Sequence, residues 1–260
     1  MEWWGNLGVL SPSYDADAQA FITLVEAADG QALEAALRDA INAFVVGCKA
    51  DGIWTAIKAC CILAGARTLA GALVPLVGTA PTSYNFGSGD YNRKTGLVGD
   101  GSTKYINSNR NNNADPQNSR HLSVYVSSAD SQGAVGRQYI GTQDAAGGSV
   151  IGRSGITANL FGSQSCVSAA LVGRGADTGL IALTRSASTG FSVRSGGTSA
   201  SITANSDTPR SESILVFARP SASINTNARI SFYSIGENLA ANLLDTRVSA
   251  LMNALAAAIP

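Results

Sequence analysis

The feature that most constrains the fold is a stretch from about residue 60 to residue 236 that is rich in glycine, serine, threonine and asparagine. Short β-prone runs recur in it between turn-forming residues, which is the pattern of many short antiparallel strands. This pattern predicts a mainly β protein built as a sandwich or jelly roll. A β-solenoid is disfavoured, because the glycines and asparagines show no fixed period. The runs lie at 104–106, 121–126, 180–183, 190–193, 213–218 and 229–235.

Two of these runs indicate how their strands are oriented. In 121–126 every second residue is apolar, which predicts one apolar and one polar face. In 229–235 both faces carry apolar groups, with Ile230 and Phe232 on the same face. We therefore expect 229–235 to lie in the middle of the sandwich. The complete β region is assigned to residues 60–237.

Residues 1–59 are predicted to form a helical N-terminal region that serves for assembly or anchoring. An aspartate at position 15 or 17 can cap a first helix, and Asp29-Gly30 breaks it. A second helix follows, with apolar residues at steps of three and four from Leu33 to Val45. Gly47 is expected to end this helix, and a short third helix is expected over 53–57.

Residues 238–260 are predicted to form a C-terminal amphipathic helix. Apolar residues recur at helical spacing from Leu239 to Ile259 and form a wide, alanine-rich face. This face must pack on something, either the sandwich or a neighbouring subunit.

Charged residues make up only 14% of the chain, and the formal net charge is zero. Because no basic excess exists to neutralise a phosphate backbone, nucleic-acid binding is disfavoured. A nearly uncharged surface also favours self-association, and hence a homo-oligomer. The most apolar stretch, 57–77, carries Arg67 near its middle, so we expect a buried soluble segment rather than a membrane span.

The residues of metal and catalytic sites are sparse. The four cysteines form no CxxC pair and are expected to be buried free thiols, so neither a metal site nor a cofactor is predicted. The single histidine, His121, is expected at the surface or on an edge strand, without a serine nucleophile motif to accompany it. The β region has one glutamate, Glu212, before Glu237. No pair of clustered carboxylates for glycoside hydrolysis is therefore apparent, and the protein is not expected to be an enzyme.

The aspartates of the β region mostly neighbour small residues or proline, which is typical of turns. Asp90, Asp100 and the run 111–115 also offer oxygen atoms for calcium, but no EF-hand spacing is present and the turn interpretation is favoured.

Aromatic residues give the remaining candidates for binding. Trp3 and Trp4 lie at the extreme N-terminus and are either an anchor for a partner protein or folded onto their own β-domain. Five tyrosines of the β region could stack on sugar rings, namely Tyr84, Tyr91, Tyr105, Tyr125 and Tyr139.

Several segments resemble a known family. Residues 96–106 resemble the opening strand pair of concanavalin A-like (laminin-G-type) jelly rolls, and 213–219 with 229–236 resemble their late strand pair. With Asp15–Phe21, Val45–Trp54 and the C-terminal helix added, the chain is similar to tail-fibre and other virion structural proteins of tailed bacteriophages. This resemblance implies a jelly roll with a short helical N-terminal region, and it supplies no catalytic residues.

For function, the resemblance implies a structural protein of the virion, as a tail fibre or similar displayed component. Its expected partners are other virion proteins, a homotrimeric assembly and host cell-surface polysaccharide. The alternative is a stand-alone glycan-binding adhesin or lectin-like module. A polysaccharide-degrading tailspike enzyme is less favoured, because clustered glutamates are missing.

Overall fold

The computed structural model describes residues 14–131, 136–143, 146–154, 160–166, 170–171, 178–220 and 223–259. Within them the chain is mainly β, with helices at both ends of the sequence. The α-helices are α1 Ala16–Asp29, α2 Ala35–Ala50, α3 Leu69–Ala72 and α4 Ala241–Ala258. The strands are β1 Ile57–Ile62, β2 Pro75–Val77, β3 Thr82–Tyr84, β4 Tyr91–Asn92, β5 Gly96–Val98, β6 Tyr105–Asn111, β7 Arg120–Ser128, β8 Arg137–Gly141, β9 Gly148–Arg153, β10 Leu160–Cys166, β11 Ala170–Leu171, β12 Gly179–Arg185, β13 Gly190–Ser195, β14 Thr198–Thr203, β15 Ser213–Val216 and β16 Arg229–Gly236.

The described strands form two antiparallel sheets that pack face to face, so the predicted β-sandwich is confirmed. Sheet A has nine strands; seven follow the order β14-β13-β12-β7-β16-β1-β2, while β5 pairs with β16 and with β4. Sheet B has seven strands in the order β11-β10-β9-β8-β15-β6-β3. Each of the six β-prone runs in the sequence overlaps one of these strands.

Two apolar cores divide the molecule into three layers. The core between the sheets contains the inward face of β7, with Leu122, Val124 and Val126. The second core lies between the outer face of sheet A and helices α1, α2 and α4. In it, the rings of Phe44 and Phe232 meet edge to face with centroids 5.9 Å apart. The order of layers is therefore helices, sheet A and sheet B.

The start of α1 follows the sequence prediction. The Asp15 carboxylate accepts a hydrogen bond from the Asp17 backbone N–H at 3.0 Å, and Gly30 ends the helix with a φ of 66°. This left-handed conformation suits glycine, which has no Cβ to clash.

The predicted end of α2 at Gly47 is wrong, because the helix continues to Ala50. Gly47 is buried where α2 meets α4, and an added Cβ would come within 2.8 Å of the Arg247 side chain. The glycine therefore permits a close approach between two helices instead of ending one.

The predicted third helix over 53–57 is also wrong. Only one 3₁₀ turn, Trp54–Ala56, precedes β1, which begins at Ile57 and pairs with β16. Pairing with a distant strand overrides the local helical pattern.

Strand β16 is central, as predicted, and pairs with β1, β5 and β7. However, Ile230 and Phe232 do not share a face: Ile230 packs between the sheets and Phe232 packs against the helices. The cause is a β-bulge in β16. The adjacent β7 residues Tyr125 and Val126 pair with Phe232 and Ile230, so the β16 residue between these two has no partner in β7. Ser231 is the extra residue of this bulge.

All four cysteines are buried and free, as predicted. Burial raises the pKa of the Cys48 and Cys61 thiols to about 12, so these groups stay protonated and unreactive. In the part of the chain that the structure describes, no helix is long and apolar enough to cross a membrane.

Candidate functional site

A cleft of about 470 Å³ lies between the C-terminal half of α4 and the outer face of sheet A. Its described lining residues come from the β4–β5 turn, from β7, β12 and β16, and from α4. They are Lys94, Tyr125, Val126, Ser127, Thr178, Gly179, Ser231, Met252, Asn253 and Ala256. This volume falls within the range of about 300–1,000 Å³ that small-molecule sites occupy.

Ser231 contributes a buried hydroxyl to the cleft. The side chain is only 1% exposed, and its Oγ has no hydrogen-bond partner among the described residues. The Ser231 backbone is fixed, because its carbonyl accepts a hydrogen bond from Leu63 N–H at 2.8 Å. A buried hydroxyl without a partner costs about 1–3 kcal/mol, and a bulge beside a binding site is a common means of re-aiming a side chain. Ser231 therefore places a solvent-inaccessible hydroxyl, unpartnered among the described residues, beside the cleft.

The neighbouring strand supplies an aromatic ring and a second serine. Tyr125 is half-buried. Burial raises the pKa of its phenol, and the nearby Asp245 carboxylate raises it further. The Ser127 hydroxyl already has a hydrogen-bond partner, since it donates to the Thr95 carbonyl at 2.5 Å. This bond ties the β4–β5 turn to β7 at the edge of the cleft.

The exposed lining residues lie at the mouth of the cleft. Lys94, Thr178 and Asn253 are exposed and offer an ammonium, a hydroxyl and an amide. The buried Met252 adds an apolar, polarisable surface. None of the described lining residues is an Asp, Glu, His or Cys. The described part of the cleft can therefore bind a polar ligand, but its described lining has no carboxylate, imidazole or thiol.

A second concavity, of about 380 Å³, lies on the helical layer around Trp54. Its polar groups already pair with each other: Lys49 contacts the Asp17 carboxylate at 2.6 Å, and the Trp54 indole donates to Asp17 at 3.1 Å. The cleft on sheet A is the better candidate, because its buried hydroxyl has no such partner.

The expectation that His121 lies at the surface or on an edge strand is wrong. The side chain is 1% exposed, and β7 lies between β12 and β16 in the interior of sheet A. Its Nδ1 lies 2.6 Å from the Glu237 carbonyl, so Nδ1 is the donor and Nε2 accepts from the Ser234 hydroxyl at 3.0 Å. Burial lowers the pKa of His121 to about 4. The histidine is a neutral structural residue.

The carboxylates of the β region serve turns and ion pairs. Asp100 accepts hydrogen bonds from the backbone N–H groups of Ser102, Thr103 and Lys104 at 2.8–3.0 Å, which confirms its turn role. Glu212 pairs with Arg210 at 2.5 Å.

Two of the described aspartates are buried. Asp115 forms a bidentate ion pair with Arg110, and Asp130 accepts from the Thr226 hydroxyl at 2.6 Å. Asp144 and Asp177 lie outside the described residues. Among the described residues, no three or more His, Cys, Asp or Glu side chains cluster as a metal site would require.

The aromatic candidates separate into different environments. Trp3 and Trp4 lie outside the described residues. Tyr139 is fully buried, and Tyr84 stacks on Tyr105 with ring centroids 4.4 Å apart. Of the five tyrosines considered for stacking on sugar, Tyr125 is the one that lines the candidate cleft.

The sequence did not indicate Lys94, Ser231 or Asn253 as candidate binding residues. No local signal marks them, because the cleft brings together residues from segments more than a hundred positions apart. The bulge that positions Ser231 depends on the pairing of β16 with β7.

No protein-family model matches the chain. No curated protein sequence matches it either. Solved structures with a similar arrangement exist at low identity. The binding domain of botulinum neurotoxin DC in complex with SialylT is 16% identical, covers 58% of this chain and 39% of that chain, and has a TM-score of 0.40. A botulinum neurotoxin type C structure, concerned with cell entry through two ganglioside molecules, is 14% identical, with coverage of 59% and 40% and a TM-score of 0.40.

A GH54 α-L-arabinofuranosidase mutant is 8% identical, with coverage of 63% of this chain and 41% of that chain and a TM-score of 0.38. The matches thus span about two fifths of the length of the similar solved chains. At these scores, the similarity assigns neither a ligand nor an activity to this protein.

Proposed function

We propose that this protein is a displayed, non-catalytic virion component of a tailed bacteriophage, such as a tail-fibre protein, that binds host surface glycan through the cleft on sheet A. The observation that carries the glycan-binding role is the hydroxyl of Ser231, which is buried beside the cleft without a partner among the described residues.

The chemistry of the cleft suits a sugar. A sugar ring presents many hydroxyls and one apolar face, so it needs both hydrogen-bonding groups and an aromatic or apolar surface. Ser231, Thr178 and Asn253 supply the first, and Tyr125 and Met252 supply the second. An aromatic surface with a few placed polar groups is the usual composition of a ligand site.

The lack of carboxylates and histidine among the described lining residues supports binding rather than glycoside hydrolysis. Glycoside hydrolysis needs two carboxyl groups flanking the scissile bond. The described residues that line the cleft include no carboxylate and no histidine.

The placement on a phage particle is supported by the sequence resemblance of the fuller pattern, which includes Asp15–Phe21, Val45–Trp54 and the C-terminal helix. In this proposal Trp3 and Trp4 anchor the chain to another virion protein, and the chain assembles as a homotrimer. Substitution of both tryptophans by alanine should abolish incorporation into particles and leave the thermal unfolding of the isolated chain unchanged. Mass spectrometry of purified particles measures the incorporation, and retention of the variant at the normal copy number would rule out this anchor.

A glycan array tests the binding role, with neutral, carboxylated and sulfated polysaccharides on one surface. Ala256→Trp should abolish binding, because an indole at this exposed cleft residue fills the space that the sugar needs. Ala257→Trp is the matched control: Ala257 is also exposed on α4 but does not line the cleft. Equal binding by both variants, or no glycan binding by the native chain, would contradict the proposal.

A further inference from the structure

Lys94 differs from the other lysines of the chain. Among the described residues, its ammonium has no carboxylate partner, although it lies at the mouth of the cleft. The other three lysines each have a carboxylate within 3 Å: Lys49 pairs with Asp15 and Asp17, Lys58 with Glu237, and Lys104 with Asp90. Among the described residues, this exposed ammonium is therefore available to pair with an anionic ligand in the cleft.

The turn that carries Lys94 is held in place. The Asn92 side-chain oxygen accepts hydrogen bonds from the backbone N–H groups of Lys94 and Thr95, at 2.9 and 3.1 Å, and from the Thr95 hydroxyl at 3.0 Å. The Thr95 carbonyl in turn accepts from Ser127, which is itself a lining residue. The backbone of Lys94 is therefore fixed relative to the cleft, which reduces the entropy that a ligand must pay to order it.

The surroundings of the cleft do not cancel this positive charge. No described lining residue is acidic. The nearby Asp245 carboxylate has other partners: it forms an ion pair with Arg194 at 2.6 Å and accepts a hydrogen bond from the Ser249 hydroxyl at 3.1 Å. The cleft thus has a cation at its mouth and, buried beside it, the Ser231 hydroxyl, which has no partner among the described residues.

We propose that the cleft selects a sugar residue bearing an anionic group, carboxylate or sulfate, which pairs with the Lys94 ammonium while a sugar hydroxyl bonds to Ser231. This inference rests on the proposed glycan-binding function and adds the class of sugar. A charge-assisted hydrogen bond at a partly enclosed site discriminates more strongly than contacts between neutral hydroxyls.

To test this, each acidic polysaccharide is printed on the glycan array beside its uncharged counterpart. Alginate, a polymer of uronic acids, is paired with carboxyl-reduced alginate, and dextran sulfate is paired with dextran. We expect the native chain to bind the charged member of at least one pair about tenfold more tightly, since a hydrogen bond to a charged group is stronger than one between neutral groups. The carboxylate and sulfate pairs then identify which anion is recognised.

Two lysine variants locate the preference in the cleft. Lys94→Gln should abolish the difference within a pair, and Lys94→Arg should retain part of it. Lys58→Gln removes the same charge from a residue outside the cleft and should leave the preference intact. Native binding that is equal for charged and neutral glycans, or an anionic preference that survives Lys94→Gln, overturns the inference and leaves glycan binding standing. No binding to any glycan overturns the proposed function itself.

Discussion

At the residue scale, two buried polar side chains of sheet A, His121 and Ser231, contrast with each other. His121 has each ring nitrogen in a hydrogen bond, whereas the Ser231 hydroxyl has no partner among the described residues. A satisfied buried group stabilises the fold, and an unsatisfied one costs free energy. The difference separates a structural residue from a candidate ligand-binding one.

The pH dependence of stability should reflect His121. Its folded pKa is about 4, below the value of about 6.5 for an exposed histidine, so protonation favours the unfolded chain. The contribution is fully present above about pH 6.5 and is lost as the pH falls towards 4, at a total cost of ~3 kcal/mol. Urea unfolding between pH 4 and 7 measures this loss.

His121→Gln is the control for that measurement, because glutamine has polar atoms but does not titrate in this range. The variant should show a smaller fall in the free energy of unfolding between pH 6.5 and 4. An identical fall in both proteins would mean that carboxylates alone cause the acid sensitivity.

Ser231→Ala should leave the free energy of unfolding unchanged or raise it by up to ~1 kcal/mol, since it removes an unsatisfied hydroxyl. The same change should weaken glycan binding. Ser234→Ala is the matched control on the same strand: the Ser234 hydroxyl contacts both His121 and Ser123, and its loss should cost about 1–3 kcal/mol. Chemical denaturation compares the two, and destabilisation by Ser231→Ala would show that the hydroxyl has a partner.

At the element scale, close backbone approaches join the segments. Gly236 ends β16 beside the start of β1, and a Cβ at this position would lie 2.1 Å from the Ala56 carbonyl oxygen. The Glu237 N–H donates to the same carbonyl at 2.9 Å. This junction connects the helical N-terminal region to the centre of sheet A.

Gly236→Ala should therefore destabilise the protein by more than ~2 kcal/mol, because backbone rather than a flexible side chain must move. Gly89→Ala is the control, as no atom lies within 4 Å of an added Cβ there. We expect that variant to be neutral or slightly stabilised. Thermal denaturation measures both, and a neutral Gly236→Ala would exclude this close approach.

At the scale of the whole molecule, the helices from both ends of the chain form one layer over sheet A. Helix α4 buries Leu244, Val248 and Leu251 in the same core as α1 and α2. Of the two positions left open for the C-terminal helix, the structure shows packing on its own sandwich. The apolar face of α4 is thus occupied within the chain, and α4 also forms one side of the cleft.

Deletion of 239–260 should consequently abolish cooperative folding instead of only weakening association between subunits. A point variant gives a milder test: Leu244→Ala should cost about 2–5 kcal/mol, while Thr246→Ala, at an exposed position, should stay within ~0.5 kcal/mol. Calorimetry and light scattering of the truncated chain measure the outcome. A truncated chain with an unchanged melting temperature would contradict the three-layer core.

The sequence alone was sufficient for the features that depend on local pattern. Alternating apolar residues predicted strands such as β7, a capping aspartate and Gly30 bounded α1, and the turn role of Asp100 followed from its small neighbours. Burial of the cysteines was expected from the apolar surroundings of three of the four, and all four are buried. These features are readable because side-chain direction and backbone preference act over a few residues.

The tertiary structure alone decided the features that depend on distant contacts. The start of β1 at Ile57, the burial of His121 and the position of Ser231 all result from pairing within sheet A, and an extra residue in β16 reverses which side chains face the helices. Strand register and bulges are set by partners far away in the chain, so no local pattern encodes them. For the same reason the cleft, which joins a turn, three strands and a helix, is visible only once the chain is folded.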